Sequence, residues 1–438
     1  MFAALFACIV LQSGGAPIPG FAGEWSRLKL PATGKNGYED YVAAVIALDS
    51  EKHRSFVRWE IFHANRQREI RFKVEPSEEQ PIPPAPAGLN LNSSLLEVRR
   101  EYVRQFGGFI EHIKAGNLKP VSDPREKYDI QTTFPEYARF KELTRSLGKV
   151  AYVQFADGNS GAATATLLEG LKFSRNLSRV GPIIGNLVGS ALQAIVLAEF
   201  EKSLDKISER DARKILAVTN QLLSEPDPLI KSIETERITY AENRAMYTEE
   251  LDEFLPDDDP LYLKMKSLDP AARRQVFELS QAKVSRYLRS LEDALKQGDS
   301  KWLAFRDDWD SGASQSQKEY KSLEEIADAF AVETTPVFNQ VIQSAAKTKT
   351  QLRLLHLHAS VIKFRWENDR LPEKLSEAVP AAQTMDPFSN APFVFEPQGY
   401  FGYRLYSSGF LQMGPIELRY RKPMTNSDDD DEGFKPPR

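Results

Sequence analysis

Cysteine is almost missing from this chain of 438 residues: Cys8 stands alone. No internal disulfide can form, and cysteine pairing says nothing about compartment. Histidine is scarce too, at five residues. There is no Cys-x-x-Cys and no glycine loop with phosphate-cradling spacing, which removes the zinc and nucleotide motifs built on those patterns. Neither sign of charge dominates. The net charge is −5 and charged residues make up 27%, an ordinary globular share, so neither nucleic acid nor an anionic membrane surface is expected as a partner.

Long apolar runs are few. Residues 2–11 are apolar throughout, too short to span a bilayer but suited to the core of a signal peptide. The small residues Ser13, Gly14, Gly15 and Ala16 follow. Residues 1–22 therefore read as signal peptide and leader, which places the protein outside the cytoplasm, in the periplasm or cell envelope. A second run, 180–198, has no charge and carries Gly181, Gly185 and Gly189 at four-residue steps. In a membrane such spacing makes a helix-packing face. Pro182, Asn186, Ser190 and Gln193 lower its hydropathy, however, and amphipathic stretches flank it. It reads as a core helix met closely by its neighbours, with no integral membrane span expected after leader removal.

What is present in quantity is helical periodicity. At 41% hydrophobic the chain can bury one large or two moderate cores. Residues 23–333 read as a helical domain. Helices are expected over 38–48, over 54–73 (ending in an extended piece) and over 95–113, with a proline-rich crossover at 76–88. A hairpin follows, 136–155 and 161–177, turning at Asp157-Gly158-Asn159. The small residues Ala162, Ala163, Ala165 and Gly170 permit close approach inside it. The pair looks tetratricopeptide-like, but no regular repeat accompanies it. Further helices are expected over 205–223, 228–254, 270–296 and 323–332, with an acidic loop at 255–260 and a polar connector at 298–319.

Residues 334–425 form the organising stretch. Val337, Val341, Ala345, Leu352, Leu355, Ala359, Ile362 and Trp366 step by helical spacing, and Leu354, Leu357, Val361 and Phe364 widen the stripe. The spacing predicts one long helix over 335–367, covered on more than one side from Leu352 onward. Asn368 and Pro372 should end it, with a short helix over 372–379 next. A turn at 386–392 and three strands over 393–395, 400–406 and 416–421 complete the stretch. Residues 426–438 read as a disordered acidic tail. The fold class is mainly α: a bundle of antiparallel helix hairpins ending in a long helix and a small antiparallel β-sheet.

The segment Asn368-Asp369-Arg370-Leu371-Pro372-Glu373-Lys374-Leu375, then Val379-Pro380, Asp386-Pro387-Phe388 and Tyr403-Arg404-Leu405-Tyr406-Ser407-Ser408-Gly409, resembles the C-terminal part of type II secretion major pseudopilins. The whole chain is also similar to a group of bacterial helical proteins of unassigned activity that share this ending and a helix opening on Asn36-Gly37-Tyr38-Glu39-Asp40-Tyr41. The resemblance implies a long helix followed by a small sheet. Pseudopilins of that type place acidic calcium ligands just after the Ser-x-Gly turn, whereas Phe410-Leu411-Gln412-Met413 stand there in this chain. At the other end, Gly20-Phe21-Ala22-Gly23-Glu24 departs from a prepilin cleavage motif.

Patterns that could carry chemistry each fall short on residue type or spacing. Glu60-x-x-His63 has the spacing of a di-iron helix, but that site needs a second such motif. His356 and His358, two apart on a helix, should point to different sides. Gly158-Asn159-Ser160-Gly161 is a helix turn with Ser160 as its N-cap rather than a nucleophile elbow. The acidic groups Asp257–Asp259 and Asp428–Asp431 lack the spacing of a calcium loop. No catalytic, cofactor-binding or metal-ligating residue is therefore assigned, and no cofactor is expected. The reading is a non-enzymatic, exported helical scaffold that contacts an unknown protein partner. The alternative is a pseudopilin-like component of a type II secretion or pilus-like apparatus.

Overall fold

Asn36 shows how the chain starts its helices: its side chain accepts from the Tyr38 N–H, satisfying one of the donors a helix start leaves open. The computed structural model describes residues 21–72, 81–129, 132–242, 259–298, 320–334, 338–389, 391–399, 402–409 and 414–420. The first helices are α1 (Phe21–Arg27), α2 (Gly37–Leu48), α3 (Glu51–Phe72), α4 (Leu95–Phe106) and α5 (Phe109–Asn117). Ser94 and Glu97 cap α4 reciprocally. The first helices differ from expectation in two places. The helix over 95–113 is broken by Gly107 and Gly108, residues with low helical preference. The extended piece expected at the end of 54–73 is instead helix as far as Phe72. An Arg66–Glu69 ion pair and the Gln67 side chain on the Leu91 carbonyl hold those turns. The crossover at 76–88 lies partly outside the described residues; its described part, 81–88, has no helix or strand.

The hairpin follows as α6 (Pro135–Ala156) and α7 (Ser160–Leu177), with Gly158 at φ +76° in the turn. Then come α8 (Ile183–Glu201), a 3₁₀ turn (Leu204–Lys206), α9 (Glu209–Ser224), α10 (Pro228–Glu242), α11 (Pro260–Ser267), α12 (Pro270–Gln297), α13 (Leu323–Thr334) and α14 (Phe338–Asn368). The helix expected from 205 starts later, because Ser208 caps the Asp211 N–H. The helix α11 was not foreseen; Asp259 caps it and Pro260 opens it. Residues 243–258 and 299–319, with most of the acidic loop and nearly all of the polar connector, lie outside the described residues, as do 1–20 and 421–438.

The helix α14 has 31 residues, about 46 Å at ~1.5 Å per residue. Leu352 and every residue from Leu354 to Ile362 are buried, so the expected covering on more than one side is present as far as Ile362; Trp366, expected on the same stripe, is instead 57% exposed. One core joins this stretch to Leu167 and Leu171 of α7, Val196 and Phe200 of α8, Ile215 and Leu222 of α9, and the sheet residues Tyr403, Leu405, Ile416 and Leu418. A second core gathers α1, α2 and α5–α8 around Tyr38, Tyr41, Phe140 and Phe173. Others join α8, α10, α12, α13 and α14, or α11 to α13, while α3 and α4 share a small aromatic cluster. The core thus runs across residue 334.

The long helix ends one residue later than expected. Asp369, not Asn368, takes the left-handed conformation, at φ +50°. The helix expected over 372–379 is only a 3₁₀ turn, Leu375–Glu377. Lys374 is extended, and the Glu377 carboxylate accepts the Glu373 and Lys374 N–H groups. The sheet consists of β1 (Val394–Gln398), β2 (Gly402–Ser407) and β3 (Ile416–Glu417), antiparallel and in that order, with Val394 opposite Tyr406 and Ser407 opposite Ile416. Tyr403, Leu405 and Ser407 alternate inward from β2. Pairing of β3 stops at Glu417, yet the expected alternation continues: Leu418 is buried and Tyr420 stacks on Tyr403 at 4.7 Å.

Candidate functional site

Three polar clusters are built into this frame. The first explains the segment from Asn36 to Tyr41, whose residues hold the loop and helix end at 117–123. Asn36 donates to the Ser122 carbonyl and the Gly37 N–H to that of Pro120. Asp40 pairs with Lys119 at 2.7 Å, and the Tyr41 hydroxyl donates to Asn117 Oδ1 at 2.7 Å. Tyr38 donates to Glu136 Oε1 at 2.6 Å. The same buried carboxylate receives Arg125, which also pairs with Asp123 and lies over the Phe134 ring. Burial raises the Glu136 carboxyl, with Arg125 and Tyr38 pulling it back. This pair is satisfied on several sides, the condition under which an interior ion pair is tolerated.

The second cluster joins α3, α4 and α6. His53 Nε2 lies 2.8 Å from the Tyr102 hydroxyl, which lies 2.7 Å from Ser146 Oγ. Ser146 donates in turn to the Glu142 carbonyl at 3.0 Å. On its other side His53 Nδ1 faces Glu142 Oε1 at 3.7 Å. A cleft of about 20 Å³, room for one water, is lined there by Asp49, His53, Arg54, Arg139 and Glu142. Burial lowers the His53 pKa against the pull of Glu142. The string carboxylate–imidazole–phenol–serine has the residue types of a nucleophile relay, but Ser146 is only 2% exposed. A nucleophile must be reachable by its substrate, so the string acts here as a tie between three helices.

The third cluster fastens the sheet. Asp386 is buried. Its Oδ1 accepts the Phe388 N–H, and its Oδ2 accepts the hydroxyls of Ser389 at 3.0 Å and Ser407 at 2.8 Å. Ser407 Oγ then accepts the Gly409 N–H. One carboxylate thereby clasps Asp386-Pro387-Phe388 to Ser407-Ser408-Gly409. Behind the sheet, His358 Nδ1 of α14 lies 2.9 Å from the Tyr403 hydroxyl, and burial pushes its pKa down to about 4. His356 points elsewhere, to Thr219 Oγ1 of α9 at 2.9 Å.

No family model matches the chain, and no curated protein or solved structure does.

The remaining sequence candidates separate. Glu60 pairs with Lys149 of α6, while the His63 ring stacks on Trp59 at 5.0 Å. Among the described residues no group of three or more His, Cys, Asp or Glu is placed to hold a metal ion. The helix turn before α7 is as expected, but its cap is not. Asn159 accepts the Ala162 N–H, and Ser160 donates instead to Asp211 of α9 at 2.9 Å. Asp259 is the cap of α11; Asp257, Asp258, Asp428–Asp431, Phe410–Met413 and Cys8 lie outside the described residues. Among the described residues α8 is the one helix long and apolar enough to cross a membrane, and 61% of its apolar stretch is buried against protein. It packs on α6, α7, α10 and α14. The clusters around Glu136, His53 and Asp386 went unread in the sequence. Only Asp386 left a local sign there, as a turn former, and its reach to Ser407 had none.

Proposed function

We propose that the protein is a non-enzymatic, exported helical scaffold whose work is contact with another protein. The observation that supports this reading is how its buried ionisable side chains are used. His53, Glu136, His356, His358 and Asp386 each bind one element to another. Such ties fix a shape, and a fixed shape is what a contact surface requires. Helix faces are the better surface, since β1 is an edge strand in which Pro397 supplies no donor. Leu118, after α5, and Trp366, on α14, are exposed apolar side chains at 88% and 57%. A photo-reactive residue at Leu118 or Trp366, in cells that make the protein, should give a discrete adduct with one other protein. The same residue at Glu324, an exposed acidic position, should not. Adducts at none of these positions, or equally at all three, would count against the reading.

The second reading, a pseudopilin-like component of a secretion or pilus-like apparatus, is supported by the Asp386 clasp. It brings the segments that carry the resemblance into one unit with α14. Against it weighs the cover that α8 and α9 give to α14, since a filament subunit needs a helix face to offer its neighbours. Adducts to secretion-machinery subunits would favour this second reading; adducts to other envelope proteins favour the first.

A further inference from the structure

We infer that the outer side of α3 binds an anionic phospholipid surface. Arg54, Arg58, Ile61, Asn65, Arg68 and Phe72 step along α3 by three and four residues, so they lie in one row. The row is opposite the side that buries Phe56, Trp59 and His63, and it runs about 27 Å at ~1.5 Å per residue. Ile61 and Phe72 within it are 56% and 64% exposed, and Ile70 at the same end of the helix is 63% exposed. The helix packs chiefly on α4, which leaves the row open. Large apolar side chains gathered on one open helix mark a surface that is covered in use.

Charge says what covers it. The net charge of −5 is an average that hides this helix: α3 carries six Arg and Lys against three Glu, a balance of +3 with its histidines neutral. Its carboxylates are engaged locally, Glu60 with Lys149 of α6, Glu69 with Arg66, and Glu51 with Arg54 and Arg58. The Glu51 pairs are solvent-exposed and therefore weak, so phosphate can replace them. Among the described residues Arg68 has no carboxylate partner. Guanidinium groups take phosphate bidentately, and isoleucine and phenylalanine beside them reach the acyl boundary below the headgroups. Nucleic acid offers the same phosphates but nothing to receive Ile61 and Ile70. An acidic peptide needs a groove, whereas this row is the convex side of a single helix. The helix α12 has the same charge balance, yet no large apolar side chain on it is exposed; it supplies the control.

The test is co-sedimentation of the full chain with vesicles at about 0.1 M salt, where charges more than ~10 Å away are screened. Vesicles of phosphatidylcholine with about one-third phosphatidylglycerol should bind it at least tenfold more tightly than phosphatidylcholine alone. Arg58→Glu with Arg68→Glu should lower that binding at least tenfold. Ile61→Ser with Phe72→Ser should lower it at least threefold and leave its salt dependence as in the parent. Arg274→Glu with Arg286→Glu on α12 should leave it within twofold. All six positions are exposed, so the fold stands in each variant. Equal binding to both kinds of vesicle, or to neither, overturns the inference. So does an α12 variant that loses as much as the charge variant of α3, or an Ile61 and Phe72 variant that binds like the parent. Binding of single-stranded DNA or polyglutamate in place of the vesicles overturns the lipid assignment.

Discussion

Glu236 carries its carboxylate in α10 into a place where one backbone group answers it. Oε2 accepts the Ile183 N–H at the head of α8, at 3.2 Å. Burial pushes its pKa up to about 7, with that hydrogen bond pulling the other way. A carboxyl raised in the folded state contributes its stability in full below its unfolded value of 4.5. That contribution is lost as pH climbs from about 4.5 to about 7. Glu236→Gln keeps an acceptor for Ile183 without the charge. In denaturant titrations it should be more stable than the parent at pH 8 by roughly 3–4 kcal/mol, at ~1.4 kcal/mol per pKa unit, and level with it near pH 4.5. An equal effect at both values would mean the charge is not what Glu236 costs the fold. Residues of this kind were the least legible in the sequence. Helical spacing put His356 and His358 on different sides, as found. Nothing in the neighbours of Glu236, Glu136 or His53 announces that each meets a group dozens of residues away, because such meetings are made by tertiary packing.

Elements were more legible, and their ends less so. Periodicity found α6, α7, α12 and α14 within one or two residues where their ends are described, since an apolar face repeats over many turns. Ends depend on single side chains: Asn159 rather than Ser160 caps α7, and Glu377 holds the backbone that 372–379 would need for a helix. The glycine steps of α8 have a local cause. A methyl group on Gly189 would stand 2.3 Å from Ser178 Oγ and 2.5 Å from the Ser178 backbone nitrogen, and backbone cannot yield as a flexible side chain can. Gly189→Ala should lower stability by about 1–3 kcal/mol, the usual cost of overpacking, read as a shift of the thermal midpoint; an unchanged midpoint would show that the crossing is loose. The sheet has its own test. Asp386→Asn keeps the shape but offers one oxygen where two accepted three donors. It should cost about 1–3 kcal/mol and speed amide exchange in β2 more than in α6. Equal acceleration in both would show that the clasp is not local to the sheet.

At the scale of the molecule the chain is layered around α14, with α8 and α9 on it from one part of the sequence and the sheet from another. The apolar stripe and its widening from Leu352 foretold that this helix would be covered. They could not say by what, since spacing along one helix carries no information about its partners. The ties at His356 and His358 bring α9 and β2 to that axis. Ala359, at 1% exposure, sits about two-thirds of the way along it and tests the arrangement with little change of volume. With Cys8 replaced by serine, Ala359→Cys in the native full-length chain should react with a thiol reagent at least a thousandfold more slowly than Trp366→Cys, and only as fast as the whole fold opens. Reaction of the two at similar rates would contradict the account, because α14 would then stand bare.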